Sequence, residues 1–220
     1  MKKIINNPND VVKEALEGMQ MAYKDKLEYV PGFELIVRKD LKNKVGIISG
    51  GGSGHEPLHA GYVGEGMLDA AVAGNVFSSP SPDRISEAIE RVDKGEGVLL
   101  VIKNYSGDIM NFGLSKDMAE ADDKKVATVI VKDDVAVEDS TYSTGRRGIA
   151  GTVFVHKIAG AMAEKGASLE EVERVANKAI ANIRSMGMAM SACTLPAVGK
   201  PGFVLLARDP SPQALMDAAN

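Results

Sequence analysis

The sequence predicts an α/β domain with a mostly parallel central sheet and helices on both faces. Short apolar runs alternate with helical stretches from residue 33 onward, which is typical of this class. The run at 98–102, Val-Leu-Leu-Val-Ile, is apolar throughout, as expected of a strand that is covered on both faces. The 23 glycines cluster in the connecting loops. A chain of 220 residues, 45% of them hydrophobic, can bury such a core without disulfides.

The opening helix is predicted by apolar residues that recur every three or four positions and so share one helix face. They are Val11, Val12, Ala15, Leu16, Met19 and Tyr23. Asn9 or Asp10 can cap this helix, and Pro82 suits the first turn of a second helix. Ser168 with Glu171 three residues later predicts a capping box on the last one.

The remaining elements follow from the same apolar patterns. Strands are predicted at 33–37, 45–48, 68–73, 98–102 and 126–131, with a further one at 188–195. Helices are predicted at 81–92, 108–122, 150–165 and 168–185, with a short terminal helix from about Pro212. In a mostly parallel sheet, ligands bind beyond the carboxyl ends of the strands, so the loops at those ends are the first place to look for a site.

Charge and cysteine content exclude several classes of protein. The net charge is -4, from 26 basic and 30 acidic residues without a long run of one sign, which argues against nucleic-acid binding. A single cysteine, Cys193, excludes an internal disulfide and a multi-cysteine zinc site, and we expect it to be a small buried residue in a strand. The apolar start is too short for a signal peptide, and no run approaches the ~20 apolar residues of a membrane span, so we expect a cytoplasmic location.

The first unusual loop is Ser-Gly-Gly-Gly-Ser-Gly-His-Glu-Pro at 49–57. Four glycines in five positions let the backbone come very close to a ligand, and its N–H groups can bind a hydroxyl, a carbonyl or a phosphate. His55 brings an imidazole into the same space. The alternative is a tight strand-to-helix turn without a ligand. The loop has neither the ending of a P-loop nor the spacing of a dinucleotide fingerprint.

Two further loops follow predicted strands. The loop at 74–82 offers Ser78 and Ser79, which helix capping by Ser81 does not explain. The loop at 103–108 carries Lys103 and Asp108, which can converge on one small polar ligand across a glycine turn. Alternatively, Asp108 serves only as the N-cap of the next helix.

Six segments together resemble the dihydroxyacetone kinase family. In the family's order they are 49–57, Phe-Ser-Ser-Pro-Ser-Pro-Asp at 77–83, Lys-Asn-Tyr-Ser-Gly-Asp at 103–108, Asp-Asp-Val-Ala-Val at 133–137, Gly-Arg-Arg-Gly at 145–148 and Ala-Cys-Thr-Leu-Pro-Ala-Val-Gly-Lys-Pro at 192–201. The resemblance is to the dihydroxyacetone-binding subunit and predicts one such domain over residues 1–203. Residues 204–220 form a tail without a match.

The resemblance implies a site for the triose. In the family the matching positions surround the substrate, which here gives Asp108 and His55 as catalytic residues and Gly52, Ser79 and Lys103 as substrate-binding residues. Asp108 would accept the hydroxyl proton as a general base, while His55 and Lys103 would hold substrate oxygens. No metal site is expected on this chain.

The resemblance also implies partners. The chain would bind no cofactor itself, because the phosphoryl donor, ADP or ATP with Mg²⁺, would lie on a separate nucleotide-carrying subunit fed by the phosphotransferase system. A homodimer is expected. Arg146 and Arg147 can serve phosphate or partner contacts, or form a solvated pair in a loop.

One feature of the family has no match in these 220 residues. Family members carry a histidine in a Gly-x-His-Gly segment that bonds covalently to the substrate carbonyl. Of the other histidines here, His59 lines the first loop or packs beneath it, and His156 lies in the core or at the surface. The departure leaves two alternatives to a kinase subunit open: a non-catalytic dihydroxyacetone sensor or coactivator, and a scaffold that binds no triose.

Overall fold

The computed structural model describes residues 4–137, 145–189 and 191–200. The chain divides into two units, Asp10–Gly187 and a smaller one made of Met1–Asn9 with Met188–Asn220. The larger unit contains the sheet and its helices. None of the described helices combines the length and apolar character that a membrane crossing requires.

A six-stranded sheet forms the centre of the larger unit. Its strands are β1 (Leu27–Val30), β2 (Leu35–Arg38), β3 (Gly46–Ser53), β4 (Ala70–Val76), β5 (Val98–Lys103) and β6 (Val126–Val131). Their order across the sheet is β1-β2-β4-β3-β5-β6. Strands β4, β3, β5 and β6 run parallel, while β1 and β2 pair antiparallel at one side. The predicted mostly parallel sheet is therefore confirmed.

Helices cover both faces of this sheet. They are α1 (Val11–Ala22), α2 (Pro82–Val92), α3 (Ser106–Ala121), α4 (Thr152–Glu164) and α5 (Leu169–Asn182). On one face, Ile89 of α2 and Phe112 of α3 pack with Ile48 and Leu100 in one core cluster. On the other face, α4 and α5 pack against the alternate residues of the same strands, which is the arrangement that strand periodicity requires. The result is a three-layer domain.

The strands β1 and β2 differ from the prediction for local reasons. Strand β1 was not predicted, because four residues are too few for an alternating pattern to stand out. The strand expected at 33–37 lies at 35–38, because the chain turns between β1 and β2 with Gly32 and Glu34 at positive φ. Ser168 caps α5 as predicted, accepting a hydrogen bond from the backbone N–H of Glu171 at 3.4 Å.

The strand expected at 45–48 runs on to Ser53, so three glycines of the first loop are strand residues. Strand β4 supplies backbone partners along this segment, whereas the pairing of β3 with β5 ends at Ser49. A methyl group on Gly50 would lie 2.4 Å from the carbonyl oxygen of Val72, so only glycine allows β3 and β4 to pair this closely. Glycine at this position is thus a requirement of the sheet.

A buried charge network closes the amino ends of the parallel strands. Asp69, directly before β4, accepts hydrogen bonds from Lys44 Nζ at 2.6 Å, Arg38 Nη1 at 3.1 Å and the backbone N–H of Ile47 at 2.8 Å. Arg38 also bonds Glu164 of α4 at 3.1 Å. Asp69, Arg38 and Lys44 are all buried, so each charge depends on its partners.

In the smaller unit, the strand expected at 188–195 does not form among the described residues, and Leu195 instead begins a turn closed by Val198 and Gly199. The segment is rich in methionine, alanine and serine and has little of the β-branched content that favours strands. Cys193 is an exposed free thiol, so the expectation of a buried strand residue was wrong. The predicted tail at 204–220, with its helix from about Pro212, lies outside the described residues.

Candidate active site

The three unusual loops meet at one edge of the sheet. Strands β4, β3 and β5 are neighbours and run parallel, so their carboxyl ends lie side by side. The segments that follow them begin at residues 54, 77 and 104. This is the edge where open α/β sheets bind ligands.

A small space over Gly51 lies at the centre of this edge. A methyl group placed on Gly51 would lie 3.4 Å from Asp108 Oδ2, 3.5 Å from His59 Nε2 and 3.7 Å from Lys103 Cε. These are ordinary van der Waals distances, so the space over Gly51 has the size of one methyl group bonded to this residue. Three side chains from two different strand ends therefore surround one point on β3.

Gly52, which was predicted to bind substrate, faces the opposite side of the strand. A methyl group on Gly52 would lie 2.6 Å from the backbone nitrogen of Ser78 and 2.9 Å from the carbonyl carbon of Phe77. Its missing side chain lets the second loop pack on β3. A role in substrate binding would therefore involve its backbone and stays a prediction.

Lys103 and His55 are directly bonded. The Lys103 ammonium donates to His55 Nε2 at 2.5 Å, and His55 Nδ1 donates to the carbonyl oxygen of Leu58 at 3.2 Å. His55 is partly enclosed but still open to solvent. Burial, and then the charge of Lys103, lower the pKa of His55, so its ring is neutral near pH 7. The structure thus places both residues at the same edge of the sheet.

Lys103 is an unusual lysine because only 3% of its surface is exposed. Burial lowers its pKa to about 8, although the charges of Asp108 and Asp133 oppose this shift. Its ammonium also lies 5.3 Å from the centre of the Tyr105 ring. A buried ammonium that is still charged at pH 7 can bind a substrate oxygen strongly.

Asp108 lies in the first turn of α3 and is 5% exposed. Tyr105 occupies the N-cap position, so Asp108 is not the cap that one interpretation of the sequence proposed. Burial raises the pKa of Asp108, while nearby Ser79 and Lys103 act in the opposite direction. Ser79 Oγ is close enough for this effect, but it makes no hydrogen bond of normal geometry among the described residues. A carboxylate with a raised pKa is a better proton acceptor.

His59 was not assigned to the site from the sequence, yet it reaches the space over Gly51. Its Nδ1 lies 3.0 Å from Ser49 Oγ, and that hydroxyl donates to the carbonyl oxygen of Val101 at 2.6 Å. The sequence feature that pointed to His59 was its position four residues after His55. Ser49 gave no signal, because its contacts depend on how β3 pairs with β5.

All three histidines of the chain lie in a row. The ring centres of His55 and His59 are 5.6 Å apart, and those of His59 and His156 are 5.3 Å apart. His156 is fully buried on α4, which decides between the core and surface interpretations in favour of the core. Among the described residues, no cluster of histidine, cysteine and carboxylate side chains has the arrangement of a metal site.

The twin arginines lie on a segment that packs beside β5. Arg147 bonds the buried carboxylate of Asp134 with both Nε, at 2.9 Å, and Nη2, at 2.7 Å. The backbone carbonyl of Arg146 accepts a hydrogen bond from Asn104 at 2.7 Å. The ion pair with Asp134 gives Arg147 a structural role in holding the segment after β6.

Comparison with known proteins identifies the family. The Dak1 domain profile matches residues 17–209. The chain is 59% identical over 205 residues to the dihydroxyacetone-binding subunit DhaK of a PTS-dependent dihydroxyacetone kinase from Lactococcus lactis, covering 93% of this chain and 62% of that protein. It is 48% identical over 206 residues to the corresponding subunit of the PEP-dependent kinase of Escherichia coli, covering 93% and 58%.

Two solved structures are similar as well. The dihydroxyacetone kinase of C. freundii superposes with a TM-score of 0.84 at 44% identity, over 89% of this chain and 36% of that one. The dihydroxyacetone kinase operon co-activator Dha-DhaQ gives 0.81 at 38% identity, over 87% and 58%. The chain thus spans less than two thirds of the length of these relatives. The profile match, the identities and the shared fold together show that the chain belongs to the Dak1 domain family, as its sequence motifs predicted.

Proposed function

We propose that this chain is the dihydroxyacetone-binding subunit of a dihydroxyacetone kinase and presents a substrate hydroxyl for phosphoryl transfer. The observation that carries the proposal is the space over Gly51, where Asp108, His59 and Lys103 meet at the carboxyl edge of the sheet. A triose offers little apolar area, so its affinity must come from hydrogen bonds. This edge supplies a carboxylate, an ammonium and two imidazoles for that purpose.

Each side chain has a distinct task in this proposal. Asp108 accepts the proton of the hydroxyl over Gly51 as the hydroxyl oxygen attacks phosphorus. The new O–P bond forms as the bond between phosphorus and the donor's leaving oxygen breaks. Lys103 holds a substrate oxygen with its ammonium, and His55 positions Lys103 through their hydrogen bond. The raised pKa of Asp108 matches the task of taking a proton near neutral pH.

The phosphoryl donor would lie on a separate nucleotide-carrying subunit. Relatives named as PTS-dependent and PEP-dependent kinase subunits support this division of labour. The donor, ADP or ATP with Mg²⁺, would supply the electrophilic phosphorus, while this chain binds and orients the acceptor. We further propose that the chain acts as a homodimer in the cytoplasm, as part of glycerol metabolism.

A second candidate is a triose sensor that does not transfer phosphate. The similarity to the dihydroxyacetone kinase operon co-activator favours it, since the fold agrees with a TM-score of 0.81. Both candidates bind the triose in the same pocket, and only the kinase subunit takes part in phosphoryl transfer.

The test combines a calorimetric titration with dihydroxyacetone and a phosphorylation assay with the nucleotide-carrying subunit of a related kinase. Binding with transfer that Asp108→Asn abolishes supports the kinase subunit. Binding without transfer selects the sensor. The absence of any binding to dihydroxyacetone contradicts both. A competition titration with glycerol, which lacks the carbonyl, measures how much of the selectivity this chain supplies by itself.

A further inference from the structure

We propose that Asp133 is a positioning residue for Lys103: its buried carboxylate is a second counter-charge that keeps the ammonium charged when Asp108 takes up the substrate proton. The inference rests on the proposed function and deepens it. It gives a task to Asp133 and to the Gly-Arg-Arg-Gly segment at 145–148, which packs beside the site.

Asp133 lies just beyond β6, the strand that pairs with the strand of Lys103. Lys103 and Val131 are partners in the parallel register of β5 and β6, and Asp133 follows two residues later. Only 1% of Asp133 is exposed, and only 3% of Lys103. A buried carboxylate and a buried ammonium thus lie at the ends of neighbouring strands, on the same edge of the sheet.

Three hydrogen-bond donors hold the Asp133 carboxylate. Oδ1 accepts from the backbone N–H of Ile149 at 2.9 Å, and Oδ2 accepts from that of Gly151 at 2.8 Å. Oδ2 also accepts from the hydroxyl of Ser185. Gly151 is the N-cap of α4, so the positive end of the helix dipole stabilises the negative charge as well. Both oxygens act only as acceptors, which is how an ionised carboxylate bonds.

These bonds anchor a segment that packs directly on Lys103. A methyl group on Gly148 would lie 2.9 Å from both Cα and Cβ of Lys103 and 2.4 Å from the carbonyl oxygen of Val131, so only glycine allows this approach. The next residue, Asn104, donates to the carbonyl oxygen of Arg146 at 2.7 Å. The carboxylate and the ammonium are therefore joined through packed protein, where charges are screened less than at the surface.

Lys103 needs counter-charges because burial lowers its pKa. The titratable groups around it come from the ends of β3 and β6, from the start of α3 and from α4, and they are His55, His59, Tyr105, Asp108, Asp133 and His156. Burial lowers the pKa of the three histidines and raises that of Tyr105, so these four side chains are neutral near pH 7. Only the charges of Asp108 and Asp133 raise the pKa of Lys103.

The reaction affects the two carboxylates differently. Asp108 becomes neutral when it accepts the hydroxyl proton, since the substrate O–H bond breaks as a new O–H bond forms on the carboxylate. Both oxygens of Asp133 are already occupied by protein donors, so Asp133 keeps its charge. The ammonium of Lys103 then still has one counter-charge and can hold its substrate oxygen throughout the transfer.

Carbon NMR of the lysine side chains measures the charge of Lys103 in the free protein. An ordinary lysine has a pKa of ~10.4, so a signal that titrates near pH 8 and is missing from Lys103→Met belongs to Lys103. In Asp133→Asn, which removes the charge but keeps the size, we expect the midpoint of this signal to fall by roughly 0.5–1.5 pH units. Equal midpoints in wild type and a folded Asp133→Asn would overturn the proposal.

Asp134→Asn is the matched control. Asp134 is also buried and holds the same segment, but its charge is paired with Arg147, whereas the described residues include no ion pair of Asp133. The midpoint of Lys103 in Asp134→Asn should stay within about 0.3 pH units of wild type, because the paired charge acts weakly at a distance. An equal fall in both variants would contradict a specific role of Asp133.

Asp108→Asn imitates the neutral Asp108 and leaves the anchored segment intact, so it decides the question even if Asp133→Asn does not fold. Starting from about 8, the loss of one counter-charge should leave the midpoint of Lys103 above pH ~6.5, since the carboxylate of Asp133 remains. A Lys103 that is already neutral at pH ~6.5 in this variant would show that Asp133 does not sustain the charge, which overturns the proposal.

Calorimetric titration with dihydroxyacetone connects this charge to binding. The ammonium is present below its midpoint and is lost as the pH rises through it, so Asp133→Asn should lose affinity at lower pH than wild type. At pH ~8 it should bind roughly 2- to 15-fold more weakly than wild type, and at pH ~6 within about twofold. An equal loss at both pH values would indicate a purely structural role and overturn the proposal. A wild-type chain that binds no triose at any pH contradicts the proposed function instead, while the NMR midpoints of the free protein still decide the inference.

Discussion

Replacing Gly51 with alanine fills the space where the substrate is proposed to lie. Gly51 is a β3 residue whose φ lies outside the left-handed region, so alanine can adopt its backbone conformation. The new methyl group would lie 3.4 Å from Asp108 Oδ2 and 3.5 Å from His59 Nε2, without a clash in the free protein. The substitution therefore tests occupancy of the site with little disturbance of the fold.

The structure predicts opposite signs for stability and binding in Gly51→Ala. Alanine in a strand interior is more favourable than glycine by roughly 0.5–1 kcal/mol, which corresponds to a Tm higher by about 1–4 °C for a domain of this size. Forcing a triose against the extra methyl group should cost about 1–3 kcal/mol, or roughly 5- to 150-fold in Kd. A variant that is more stable and binds less is hard to explain by misfolding.

Gly52→Ala is the matched control. Its methyl group would lie 2.6 Å from the backbone nitrogen of Ser78, so this variant should lose roughly 1–3 kcal/mol of stability. Thermal unfolding and calorimetric titration of dihydroxyacetone on both variants provide the comparison. If Gly51→Ala binds triose as tightly as wild type, the substrate does not lie over Gly51.

Three further predictions follow from the same structure. Asp108→Asn should lower phosphoryl transfer by ~10²–10⁴-fold while keeping triose binding, which single-turnover assays beside calorimetry can show, and retention of transfer would exclude Asp108 as the base. Burial lowers the pKa of Lys103 to about 8, so the folded state loses this proton at lower pH than the unfolded chain. The free energy of unfolding should therefore rise by roughly 2 kcal/mol between pH ~7.5 and ~9.5. Urea unfolding of Lys103→Met should lack that part of the rise. Asp69→Ala should lower the free energy of unfolding by ~3–5 kcal/mol, because Arg38 and Lys44 would be left buried without their shared carboxylate. A change below ~1 kcal/mol in urea unfolding would contradict the importance of this charge network.

Most of the sheet could be predicted because apolar runs identify buried strands. Residues 98–102 and 126–131 appear as β5 and β6 with boundaries within one residue. β1 escaped prediction because its four residues are held mainly by antiparallel pairing with β2, which no local pattern reveals. The extension of β3 through three glycines depends on pairing with the neighbouring strand β4, since glycine alone disfavours a strand.

The site could be predicted in part for a similar reason. Loop composition and the family's motifs identified His55, Lys103 and Asp108, which the fold brings to one edge of the sheet. They could not show which glycine of the first loop faces the pocket, because that depends on the alternation of residues along β3. Nor could they show that His59 lies beside Gly51 and contacts Ser49, whose hydroxyl also donates to a carbonyl of the adjacent strand.

A crystal structure of the chain grown with dihydroxyacetone tests the central claim most directly. We predict the triose at the carboxyl ends of β3, β4 and β5, with one hydroxyl over Gly51 hydrogen-bonded to Asp108, and another oxygen bonded to the Lys103 ammonium. A triose bound at any other edge of the domain, or no bound triose at concentrations that saturate the calorimetric titration, would contradict the account.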